Sequence, residues 1–164
     1  MFSCRCKKFT WNTTSTSSYF GASVDDVSVT VYDSSTAQIV VNPLDVHVVE
    51  GGSSVSYTLL LISDAGVSDV VVGLSVSGLS STRSLTLSGT GVSEVSAGSV
   101  YLLTFASGSV AGTARTVSVS VSSSSEVLEG VQTVSIAHSI DGSTSLSSVY
   151  ASVSVDSVDV TVYD

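Results

Sequence analysis

The sequence predicts an all-β protein, an antiparallel β-sandwich of immunoglobulin-like architecture with about seven strands. Three observations carry this. Apolar residues alternate with Ser and Thr, most cleanly where Val117, Val119 and Val121 face Ser118, Ser120 and Ser122. Successive side chains of a strand point to opposite faces, so this pattern buries one face and wets the other. The apolar residues are mostly Val, whose branched Cβ suits a pleated surface and loses rotamer freedom in a helix. Breaks rich in Gly, Ser and Asp separate the runs, as they do between the strands of a sandwich.

Taken in order, the alternation starts near Ser23. Val27, Val29 and Val31 alternate with Ser28, Thr30 and Tyr32 until Asp33-Ser34-Ser35 breaks the run. Gln38–Val49 follows, interrupted by Pro43. Proline cannot donate to a ladder, so an edge strand split in two is expected there. After the turn Glu50-Gly51-Gly52, Ser54–Ile62 turns Val55, Tyr57, Leu59 and Leu61 to one face. Asp69–Ser77 places Val70, Val72, Leu74 and Val76 on a core face. Gly78–Gly98 is the least regular region, with a short strand at Ser84–Leu87 and a hairpin extension. Val100–Phe105, Arg115–Ser122 and Val131–His138 read as strands, with a loop at Ser123–Gly130 that carries Glu126 and Glu129. Asp141-Gly142 marks a turn. The last strand spans Ala151–Tyr163. Only Glu126–Val134 also fits a helical stripe, and Gly130 with the β-branched bias favours strand.

The chain contains a self-match. Val27–Asp33 reads VSVTVYD and Val158–Asp164 reads VDVTVYD, an offset of 131 residues. Extended back to Tyr19 and Tyr150, ten of fifteen positions agree. A self-match at fixed offset marks a tandem array. The expected organisation is a poorly ordered lead at 1–18, then the last strand of a preceding repeat with its linker at 19–36. A full repeat follows at 37–164.

Composition excludes several classes of function. Five Lys and Arg stand against fourteen Asp and Glu, a net charge of −9. Nucleic-acid binding needs clustered cations, so it is not expected. No run approaches the roughly 18 apolar residues of a membrane span. Both cysteines, Cys4 and Cys6, fall in the first six residues, so the repeat is no disulfide scaffold. The spacing strains a bridge between them; a metal pair, an intermolecular bridge and a non-native start are the open readings. Met1–Lys8 is no signal peptide, and a secreted protein would carry its signal outside this chain. Asn12-Thr13-Thr14 is a glycosylation sequon if the chain is secreted. Catalysis is not expected: there is no G-x-S-x-G elbow, and His47 and His138 read as ordinary strand residues. Gly89 and Gly91 form a lone GxG with no helix behind it.

The motifs occur in a recognisable order: VVEGG at Val48–Gly52, LLTFASGS at Leu102–Ser109, TVSVSV at Thr116–Val121, EVLEG at Glu126–Gly130 and VTVYD at Val160–Asp164. Over residues 37–164 this resembles the Calx-beta domain, a calcium-binding β-sandwich of cation exchangers, integrins and tandem extracellular or adhesion proteins. The resemblance implies calcium between the loops at one end, held by carboxylates as a hard cation requires. Carried over by position, it points to Glu50, Glu126, Glu129 and Asp164 as a weak calcium site. The chain departs from the pattern where Ser122–Ser125 replace the family's aspartates, and where Gly78–Ser84 lacks an acidic turn.

The expected function is therefore a non-catalytic structural or adhesive repeat of an extracellular or cell-surface protein. Its partners would be neighbouring repeats of the same chain, with other surface proteins or glycans beside them. No cofactor is expected other than calcium. A calcium-regulated module is one alternative. A glycan-binding or glycosylated surface domain, suggested by Ser and Thr on strand faces, is another.

Overall fold

Among the described residues the alternating runs fold as ten strands in two facing sheets. A computed structural model describes residues 31–33, 35–81, 83–123, 130–144 and 148–164. The chain divides into two units, Met1–Asp33 and Ser34–Asp164, and the sandwich belongs to the second. Asn12, Cys4, Cys6, Glu126, Glu129 and the residues 27–30 of the first VSVTVYD run lie outside the described residues.

One sheet has four strands in the order β1 (Ile39–Asn42), β3 (Val55–Leu61), β8 (Ala114–Ser123), β5 (Arg83–Ser88). The other has six, in the order β2 (Asp45–Val49), β10 (Val158–Tyr163), β9 (Gln132–Ile140), β4 (Val70–Ser77), β7 (Val100–Phe105), β6 (Val92–Ser96). The described residues contain no helix. Leu59, Leu61, Val72, Leu74, Leu85, Leu103, Phe105, Val117, Val119 and Ile136 are fully buried between the sheets. Each such side chain contributes roughly 1.5–3 kcal/mol through removal of apolar surface from water. The inward set expected on β3 and β4 is the observed one, with Val55 and Val76 at its half-buried margins.

Pro43 does more than split an edge strand. β1 lies at the edge of the four-stranded sheet and β2 at the edge of the six-stranded one, so the chain changes sheets at this point. The chain keeps its direction as it crosses. β2 therefore runs parallel to β10, while the other paired strands are antiparallel.

Two further elements differ from expectation. The irregular region is a second crossing: β5 pairs with β8 in one sheet, and β6 pairs with β7 in the other. Gly89 and Gly91 make the turn, at φ +149° and +84°. A Cβ on Gly89 would stand 2.2 Å from the Thr116 carbonyl oxygen, and one on Gly91 2.7 Å from that of Thr104. The backbone thus passes against both sheets where only glycine fits.

The last strand is shorter than Ala151–Tyr163. Tyr150 is buried, its hydroxyl donating to the Ser63 carbonyl at 2.5 Å and accepting from the Ser63 N–H at 2.9 Å. Turns closed by Ala151 N–H to Ser148 C=O and Val153 N–H to Tyr150 C=O follow. Val153 and Val155 still pack on the core, and the ladder begins only at Val158.

Candidate functional site

The strand registers bring four separated segments to one pole. Tyr163 lies beside Val49 in the parallel pair, and the Glu50 N–H donates to the Tyr163 carbonyl at 2.8 Å. Gly51 N–H donates to the Val121 carbonyl at 2.9 Å, next to the pairing of Arg83 with Ser123. The β2–β3 turn, the start of β5, the start of β9 and the end of β10 therefore converge.

Arg83 stands at the centre. Its strand reads RSLTLS, with Arg83, Leu85 and Leu87 all inward. The side chain has no exposed surface. Nε donates to Glu50 Oε2 at 2.7 Å, and Nη1 donates to Gln132 Oε1 at 3.2 Å. Nη2 donates to Asp164 Oδ1 at 2.5 Å and to the Gly130 carbonyl at 3.2 Å. The other Asp164 oxygen, Oδ2, accepts from the Gly130 N–H. Gln132 is itself held, its Nε2 donating to the Gly78 carbonyl at 2.6 Å and its Oε1 accepting from Ser80 N–H at 3.4 Å.

A planar guanidinium carries five N–H donors in a rigid fork, which suits it to several acceptors at once. Burial works against its charge, but the hydrogen bonds and charges of Glu50 and Asp164 outweigh burial. Together they hold Arg83 above its already high ordinary pKa.

Of the four carboxylates expected as a calcium site, the structure brings Glu50 and Asp164 together. Glu126 and Glu129 lie outside the described residues. Calcium takes about 6–8 oxygen ligands. Among the described residues no three His, Cys, Asp or Glu side chains group closely enough to hold a metal. Glu50 Oε2 and both Asp164 oxygens already accept N–H groups. Glu50 and Asp164 alone supply fewer oxygens than a calcium ion takes. Arg83 itself escaped the sequence reading, although its place in the period-two frame of Leu85 and Leu87 marks it as inward.

The histidines are strand residues, as expected. His47 is exposed on β2, 3.2 Å from Asp45 and 3.2 Å from the Tyr163 hydroxyl. His138 is buried. Its Nδ1 lies 2.5 Å from the Asp156 carbonyl and therefore carries the proton, so Nε2 accepts from the Tyr57 hydroxyl at 3.0 Å. Burial pushes the His138 pKa below its ordinary 6.5, against the opposing pull of Asp156.

The unfolded chain therefore takes up its proton at higher pH than the folded chain. The stability this confers is complete above 6.5 and falls as pH drops from there toward the folded pKa. Burial also pushes Tyr57 up from 10.0, so stability falls again as pH rises past the unfolded tyrosine's value. Thermal melts should decline from about pH 7 to about pH 5, and His138→Gln should flatten that limb. A melting temperature constant across it would contradict the assignment.

No family model matches the sequence, and no curated protein matches it. Solved structures do. The fold is similar to the Calx CBD1 domain in its apo form, with a TM-score of 0.48, 14% identity, and coverage of 79% of this chain and 97% of that one. It is similar to CBD12 from CALX1.2, with a TM-score of 0.47, 14% identity, and coverage of 77% and 45%. It is also similar to the third cohesin ScaC, solved with the ScaB dockerin from Acetivibrio cellulolyticus. There the TM-score is 0.48, identity 12%, and coverage 79% and 100%. The likeness is one of fold alone.

Proposed function

We propose that this chain is a non-catalytic structural or adhesive repeat module of a larger extracellular or cell-surface protein. The observation that carries this reading is the path of the chain through the sandwich. β1 starts beside the end of β3, with Ile39 opposite Leu61. β10 ends beside the end of β2, with Tyr163 next to Val49, at the pole where β3 begins. The first strand therefore starts at one pole and the last finishes at the other. Modules so built join end to end without a segment doubling back.

The self-match supports the same reading. Val27–Asp33 repeats Val158–Asp164, and only Ser34–Gln38 separates Asp33 from β1. A link this short restricts neighbouring modules to few orientations. Strand faces rich in Ser and Thr would remain open to other surface proteins or glycans.

Limited proteolysis of the chain tests the modular half. Early cleavage is expected near Asp33–Thr36, leaving a protected core that begins there. Early cleavage spread through β3, β4 and β8 would contradict it. Antibody staining of intact, unpermeabilised source cells tests the location, and staining that appears only after permeabilisation would rule out a surface role.

A further inference from the structure

We infer that Arg83 is the built-in cation of the Glu50 pole. Its guanidinium holds the converging carboxylates as a bound metal would, and the module closes this pole without calcium.

Glu50 and Asp164 arrive at one place from distant parts of the chain, with 13% and 19% of their side chains exposed. Two partly buried carboxylates repel each other and lose hydration, so a cation must stand between them. The strand register supplies one. Arg83 is inward because Leu85 and Leu87 are inward, so its position follows from β5 and not from recruitment of a ligand.

Arg83 belongs to the four-stranded sheet, while β9 and β10 belong to the six-stranded one. Its bonds to Gln132 and Asp164 therefore cross the sandwich, and its bond to Glu50 secures the β2–β3 turn. One side chain ties both sheets and a turn together at the pole where the last strand ends. A metal would do this by coordination and would release it when the metal left. A guanidinium on the chain cannot leave, so the stiffness of this pole does not follow the calcium concentration.

Gln132 is anchored through Gly78 and Ser80, and Asp164 through the Gly130 N–H. The acceptors are thus held toward the guanidinium by bonds other than its own, which lowers the entropy lost in fixing them.

Thermal melts of the full 164-residue chain test the inference. The wild-type chain should melt within about 1 °C in millimolar calcium chloride and in chelator, because a ligand that bound only the folded state would have to raise the transition. A calcium-dependent rise of several degrees would overturn the inference. Arg83→Met keeps the bulk and removes the charge, and should lower the melting temperature by roughly 10 °C or more. Arg83→Lys should fall between, because a point charge cannot serve the same set of acceptors. An Arg83→Met chain that melts like wild type would also overturn it.

If Arg83→Met does not fold, the triple variant Arg83→Met, Glu50→Gln, Asp164→Asn decides. Without carboxylates to neutralise, it should fold and melt above the single variant. A triple variant that is no better than the single one would show that Arg83 does not act as the cation of these two acids.

Discussion

A Gly89→Ala chain is expected to be destabilised by about 4 kcal/mol, read as a large fall in the urea midpoint with an unchanged slope. The reason is steric and local. The new Cβ would sit 2.2 Å from the Thr116 carbonyl oxygen, and that oxygen belongs to backbone in the middle of a sheet. Either β8 moves or the β5–β6 crossing opens. A control separates this clash from the conformational effect of losing glycine. Gly108 also has positive φ, at +78°, but a Cβ there meets nothing within 4 Å. Gly108→Ala should therefore cost only the left-handed strain of about 1–2 kcal/mol. Equal effects at the two positions would contradict the close approach of the crossing to β8.

The second large effect is expected at Glu50. Glu50→Ala removes the acceptor of Arg83 Nε and leaves a wholly buried guanidinium with fewer acceptors. Breaking a buried pair from one side is costly because the remaining charge stays out of water. Arg83 retains Asp164, Gln132 and Gly130, so a loss of about 3 kcal/mol is expected, at the low end of such cases. Glu50→Gln keeps a carbonyl oxygen at the same reach and should lose about half as much. The check is the urea midpoint of both variants. An order in which Gln is as damaging as Ala would mean that shape or turn geometry, not the Arg83 bond, fixes the role of Glu50.

The sandwich was legible in the sequence because its signal is local. Val117, Val119 and Val121 declare their inward face within a few residues, and all three are buried. Pro43 declared the break between β1 and β2. The sheet to which each piece belongs was not legible, because that depends on partners far along the chain. The parallel pairing of β2 with β10 is one consequence. The over-long last strand shows a second limit. Val153 and Val155 alternate as strand residues do and pack on the core, yet Tyr150 and its bonds to Ser63 hold the segment off the ladder. Alternation reports burial, and hydrogen-bonded pairing is a separate matter.

The site divides in the same way. Glu50 and Asp164 were legible through the order of motifs, and the structure places them side by side. Arg83 was not, because its partners lie 33 and 81 residues away. A local signal was present nonetheless. Arg83 is one of only five cationic residues in the chain, and it falls in phase with Leu85 and Leu87 at the head of an alternating run. A charge on the apolar phase of a strand calls for a buried counter-charge.

The most direct test of the resident cation is ¹⁵N NMR of the arginine Nε–H groups. The chain has three arginines, Arg5, Arg83 and Arg115, so assignment by substitution is short work. A resolved Arg83 Nε–H signal is expected, one that exchanges slowly with water and does not move on titration with calcium to millimolar concentration. A signal that exchanges as fast as that of a solvated arginine, or that shifts saturably with calcium, would contradict it.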